Sequence, residues 1–189
     1  MKSRLAYLPV ASGFLVLVLS LVVGALKINS NRNTTLSQNL STKAAAENAT
    51  LALSPASGDY TMDTKTSYPV GIILNSGGRE IDGVDIIINF DPKKVTVEGT
   101  TVTTTNSFEQ YLVNKIDNVA GKIRLSALTF TAKPVTGIVG TFRFRPVVRG
   151  AVNFNFEFTP GATTDTNVAD HASAKDILGS VVNASFNFK

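Results

Sequence analysis

The feature that most limits the fold of this chain is a hydrophobic period of two that begins near Ala49 and runs to its last residues. Val84, Ile86, Ile88 and Phe90 alternate with Gly83, Asp85, Ile87 and Asn89, which reads as a strand with one buried face and one mixed outer face. The same alternation gives apolar rows at Tyr68, Val70, Ile72 and Leu74, at Ile123, Leu125 and Ala127, and at Phe142 and Phe144. Two more rows run through Val152, Phe154, Phe156 and Phe158 and through Ala184, Phe186 and Phe188. Turn residues separate them at Ser76-Gly77-Gly78, Asp91-Pro92, Asn118 to Gly121, Lys133-Pro134, Arg149-Gly150 and Pro160-Gly161. No long helical pattern intervenes. Short strands, frequent turns and inward Phe residues that can fill the space between two sheets predict an all-β, antiparallel β-sandwich over residues 49–189, in preference to a closed barrel.

The first 48 residues have a different character. Lys2 and Arg4 precede an apolar stretch from Leu5 to Leu26, whose 22 residues would span about 33 Å as a helix, matching a hydrocarbon core of about 30 Å. This predicts one transmembrane signal anchor over residues 5–26, with residues 1–4 cytoplasmic and everything after Lys27 extracytoplasmic. The alternative is a cleaved signal peptide ending near Val23-Gly24-Ala25, which would leave the domain secreted. A pilin-type leader at Gly13-Phe14 lacks the acidic residue that such leaders carry, because Val18 stands there. Residues 27–48 are rich in Asn, Ser and Thr and read as a polar linker with a coil-like reach of roughly 25 Å.

Charge follows the same division. The formal charge of +4 lies entirely in residues 1–48, whereas residues 49–189 carry 13 basic and 13 acidic side chains. The basic balance therefore speaks for orientation in a membrane and not for nucleic acid. With 0 Cys and 1 His, cysteine nucleophiles and Cys/His zinc clusters are excluded, and a His-dependent triad has only His171. Asp82 and Asp85, the nearest acidic pair, are three residues apart on a strand and so are expected on opposite faces, while Glu98, Glu109 and Glu157 belong to other rows. The expectation is a non-enzymatic domain. Asp165, Asn167 and Asp170 offer oxygen donors of the type calcium takes, but Ala169 and Asp170 stand where an EF-hand loop needs a donor and a Gly. Local turns are the reading for that loop, with calcium the alternative.

The run Leu53-Ser54-Pro55, Ser57-Gly58, Val70 to Asn75, Gly77-Gly78, Ile81-Asp82-Gly83-Val84-Asp85 and Phe90-Asp91-Pro92 resembles a cohesin domain. Further matching pieces are Gly121 to Ser126, Val135 to Phe144 and Asp176 to Val181, so that the resemblance covers about Leu51 to Lys189. It implies a nine-stranded jelly-roll sandwich that binds dockerin modules on other proteins, as in cellulosomes and cell-surface assemblies linked to polysaccharide degradation. Cohesins bear an Asn-x-Asp pair on the strand leading to the Asp-Pro turn, and it contacts the dockerin. Here Asp85 keeps the Asp and Gly83 stands at the Asn position. The resemblance thus implies a partner-binding row of Gly83, Asp85, Ile87 and Asn89. Two other functions remain open. The first is carbohydrate binding, which certain modules of the same fold perform and for which Tyr60 and Tyr111 are the candidate rings. The second is a structural envelope role.

Overall fold

The computed structural model describes residues 48–189; the anchor, the cytoplasmic end and all but the last residue of the linker lie outside the described residues. Thirteen strands form two sheets. The first sheet holds β1 (Ala49–Ser54), β3 (Tyr68–Asn75), β5 (Val95–Val97), β6 (Thr103–Thr104), β9 (Thr136–Pro146) and β12 (Leu178–Val182), in the order β12–β1–β3–β9–β5 with β6 also on β9. The second holds β2 (Ser57–Tyr60), β4 (Ile81–Phe90), β7 (Gln110–Asp117), β8 (Lys122–Lys133), β10 (Gly150–Phe156), β11 (Asn167–Asp170) and β13 (Ala184–Phe188). Its order is β2–β13–β10–β4–β8–β7, with β11 also on β4. Among the described residues no helix is long and apolar enough to cross a membrane.

The predicted rows line the space between the sheets. Val70, Ile72, Leu74, Ile86, Ile88, Ile123, Leu125, Phe142, Phe144, Phe154, Phe186 and Phe188 are all buried. Phe154 is the hub, with ring centroids 4.9 Å from Phe144 and 5.0 Å from Phe142, so residues from both sheets meet on one aromatic side chain. Phe158 departs from its predicted row: it lies beyond β10 and is only half-buried.

The pairing departs from purely antiparallel in two ladders, since β1 runs parallel to β12 and β2 parallel to β13. The reason is a shared change of sheet. The N-terminal strand leaves the first sheet after Ser54 and enters the second at Ser57, and the C-terminal strand makes the same crossing between Val182 and Ala184. The two segments travel side by side in one direction, joined at the crossing by the Ser185 N–H donating to the Ala56 carbonyl (2.9 Å). Hydrophobic alternation records which residues point inward, but it does not record the sheet to which a strand belongs.

Strand β4 is central to the second sheet and changes its partner midway. Ile88 to Phe90 pair with β10, whereas Ile81 to Asp85 pair with β11. At the junction the fully buried Thr166 places its hydroxyl on the β4 backbone, accepting from the Ile87 N–H (3.0 Å) and donating to the Ile87 carbonyl (3.1 Å). The Ile87 carbonyl also accepts from the Glu157 N–H, but the Ile87 N–H has the Thr166 hydroxyl as partner, at a point that neither β10 nor β11 reaches by backbone.

Candidate functional site

The outward face of β10, β4, β8 and β7 is assembled from rows that the registers define. Asn167, Asp85, Ser126 and Val113 lie opposite one another across β11, β4, β8 and β7. One step along, Ile87 faces Arg124, which faces Lys115, and Glu157 meets Ile87 from the other side through its N–H (2.8 Å to the Ile87 carbonyl). The next row is Asn155, Asn89, Lys122 and Asp117. Asp85, Ile87 and Asn89 therefore share one outward face, as their spacing predicts. Asp85 is exposed and makes no ion pair among the described residues. Ile87 and Asn89 are half-buried.

Gly83 has the same parity but is buried. It faces Leu128 on β8 and Ala169 on β11. A Cβ at this position would lie 2.6 Å from the Ala127 carbonyl oxygen and 3.5 Å from the Leu128 Cβ. The site that carries Asn in the cohesin pattern is thus closed here by β8 backbone, and Gly83 presents no side chain to a partner.

Charges on this face are partly committed. The Glu157 Oε2 accepts from Lys122 Nζ (2.8 Å) and Asn89 Nδ2 (3.1 Å), and these two bonds, the Lys122 one foremost, hold its carboxyl below the usual range. Asp117 spends its Oδ1 on the turn between β7 and β8, accepting from the N–H groups of Ala120 (2.9 Å) and Val119 (3.0 Å). Those backbone bonds, with a longer contact to Lys115 (3.4 Å), lower its pKa. Lys115, Asp117, Ala120, Lys122 and Arg124 line a shallow hollow of about 340 Å³. On the other side of β4, a second hollow of about 350 Å³ is lined by Asn89, Asp91, Lys94, Asn153 and Asn155 together with Phe90.

Two residues that the sequence reading left out stand at the far end of the same sheet. Phe130 on β8 is 72% exposed and Leu112 on β7 is 60% exposed. Phe130 follows Arg124, Ser126 and Leu128 at intervals of two, so its outward parity was already implied by the inward row of Ile123, Leu125 and Ala127. Leu112 is the extra residue where the β7–β8 register shifts, and no sequence pattern announces a bulge.

Asn167 apart, the remaining candidates lie away from this face. Asp170 forms an ion pair with Arg79 (2.8 Å) and accepts from the Ser173 N–H and hydroxyl, and the Arg79 bond foremost lowers its pKa. The Asp165 Oδ2 accepts from the Thr159 N–H (2.6 Å), and the Asn167 amide donates to the Asp165 carbonyl (3.0 Å). Asp170 is thus held by Arg79 from the β3–β4 connection as well as by its own loop, Asn167 uses its amide nitrogen, and the Asp165 Oδ1 is buried without a hydrogen-bond partner; among the described residues no cluster of three or more His, Cys, Asp or Glu side chains is arranged to hold a metal. His171 is exposed and its Nδ1 lies 2.7 Å from the Asp82 Oδ1, so Asp82 pairs across to another strand end while Asp85 stands alone. Tyr60 and Tyr111 both turn inward. Tyr60 stacks on Phe188 (5.6 Å), and the Tyr111 hydroxyl donates to the Thr105 carbonyl (2.9 Å).

Among the described residues the molecule is a two-sheet sandwich without helices that turns one broad sheet face of mixed polarity outward. Its relatives in structure are cohesins, and the chain has a cohesin-like fold. A cohesin from Clostridium acetobutylicum superposes with a TM-score of 0.57 at 19% identity, over 76% of this chain and 92% of that one. The cohesin of a type I cohesin–dockerin complex from Clostridium thermocellum gives 0.56 at 15% identity, over 76% and 100%. A non-cellulosomal cohesin from the archaeon Archaeoglobus fulgidus gives 0.54 at 11%, over 75% and 91%. No family model matches the sequence, and no curated protein matches it.

Proposed function

We propose that this protein is a non-catalytic docking module that receives a dockerin-type domain on the outward face of β10, β4, β8 and β7. The observation that carries this reading is the coincidence of a cohesin-like fold with a face that exposes an unpaired carboxylate, Asp85, beside Ile87, and two large apolar side chains, Phe130 and Leu112, along the same sheet. A specific interface needs a few desolvated apolar anchors with polar groups that fix register, and this face supplies both. The jelly-roll connectivity of cohesins belongs to the same proposal. So does presentation outside the cell, through the apolar segment 5–26 and the polar linker, at a surface where polysaccharide is degraded or a surface assembly is built.

Carbohydrate binding is the second reading. The hollow lined by Asn89, Asn153, Asn155, Asp91 and Lys94 favours it, because amides and a carboxylate supply donors and acceptors together. Screening the full-length chain against dockerin modules of its own organism and, in parallel, against a glycan array separates the two. Dockerin capture without glycan signal supports docking. Glycan signal without dockerin capture transfers the function to the amide hollow, and silence in both leaves the structural envelope role.

A further inference from the structure

The docking face contains a like-charge pair that the folded chain compensates only in part. Lys115 on β7 and Arg124 on β8 are direct cross-strand partners. Such partners hold their Cβ atoms about 4.5–5.5 Å apart, and like charges there are destabilising. The carboxylates nearby relieve the pair only in part, since Glu157 feels the Arg124 charge without bonding to it. Glu157 is engaged by Lys122 and Asn89, and Asp117 is engaged by two turn amides, leaving Lys115 a single contact at 3.4 Å. Arg124 has no carboxylate oxygen within ion-pair distance among the described residues. Both side chains are exposed and both line the 340 Å³ hollow, so an incoming group can reach them from solvent. In a domain whose charge is otherwise balanced at 13 against 13, a local conflict of this kind belongs where a partner resolves it.

We infer that Lys115 and Arg124 form the receptor for an acidic side chain of the docked partner, whose carboxylate enters the hollow between them and is gripped by the Arg124 guanidinium. Guanidinium binds carboxylate through two parallel N–H bonds, and the adjacent ammonium adds charge without a fixed geometry. Ile87, on the β4 side of Arg124 in the same row, offers an apolar surface beside the hollow along which the partner's methylene stem lies. The inference rests on the docking reading of this face and adds the chemistry of the partner: a module whose contact surface is acidic where it meets β7 and β8. Asp85, one row away, then meets a donor on the same partner, so the face reads polarity in two places.

The test compares the full-length chain with its Arg124→Glu and Lys115→Gln forms. Thermal unfolding in low-salt chloride is expected to show a Tm about 1–4 °C higher for Arg124→Glu, because an attractive cross-strand pair replaces a repulsive one, and a smaller rise for Lys115→Gln. Inorganic sulfate, the anion probe, is expected to raise the Tm of the native chain more than that of either variant. Affinity for a dockerin module should fall tenfold or more in Arg124→Glu and return when an acidic contact residue of the module is exchanged for Lys. A module that binds Arg124→Glu as tightly as the native chain overturns the anionic assignment and leaves the docking reading standing. If no module binds the native chain, the docking reading fails and the sulfate arm still decides the anion site: a larger gain for the native chain supports it, and equal gains overturn it.

Discussion

Replacing Gly83 by Ala tests how the β4–β8 seam is built. An added Cβ would lie 2.6 Å from the Ala127 carbonyl oxygen, about 0.8 Å inside the 3.4 Å at which ordinary contact begins, and the obstructing atom is backbone within a paired strand. The seam must open locally or β4 must shift. Overpacking of this kind costs about 1–3 kcal/mol, and weakening one ladder hydrogen bond adds about 1 kcal/mol. Against this, Ala restricts the unfolded chain more than Gly does, which returns about 0.4–1 kcal/mol. The net expectation is a loss of about 1–3 kcal/mol, seen as a Tm lower by roughly 3–10 °C in calorimetry and a lower urea midpoint at unchanged slope. Gly71→Ala is the matched control. Its added Cβ would find nothing nearer than the Ser54 carbonyl at 3.6 Å, so it should be neutral or slightly stabilising. Equal stability of Gly83→Ala and the native chain would refute the packing argument. The same geometry explains why Gly83→Asn is expected to lose stability without gaining a contact.

Three further outcomes follow from the structure. Thr166→Val preserves shape but removes the hydroxyl that accepts from the Ile87 N–H, so stability should fall by about 1–3 kcal/mol in urea unfolding, with exchange of the Ile87 amide accelerated in hydrogen-exchange measurements. Phe154→Ala should be the more damaging core change, at about 3–5 kcal/mol, because that ring contacts Phe142 and Phe144 on the facing sheet. Acid should destabilise the domain through Asp170 and Glu157. Both folded pKa values lie below their ordinary 3.8 and 4.5, so their stabilisation is complete above those values and is lost as pH falls through the lower folded ones. Arg79→Gln should flatten the acid limb of a Tm-versus-pH curve; an unchanged limb would remove Asp170 from the account.

The sandwich was legible because its cause is local. Inward rows such as Ile86–Ile88–Phe90 and Phe142–Phe144 repeat every two residues, and burial of large side chains decides the sheet face. Legibility ended where the cause is a register. Nothing near Lys115 in the chain announces that Arg124 will stand opposite it, or that Leu128 will close over Gly83, because both depend on how β7 and β4 settle against β8. The crossings after Ser54 and Val182, and the Thr166 hydroxyl on Ile87, are likewise set by long-range pairing. Asp85, Ile87 and Asn89 came out on one face because strand parity alone determines it. Phe130 continues the outward parity of Arg124, Ser126 and Leu128, where the β4–β8 register shifts.

Docking on the outward face of β4 is decided by where a partner touches the molecule. Titration calorimetry of a dockerin module into the full-length chain can compare Asp85→Arg, on the outward face of β4, with Val182→Arg, exposed on the other sheet. The prediction is one-to-one binding that weakens at least tenfold in Asp85→Arg and is unchanged in Val182→Arg. Binding that survives Asp85→Arg and is abolished by Val182→Arg would contradict it.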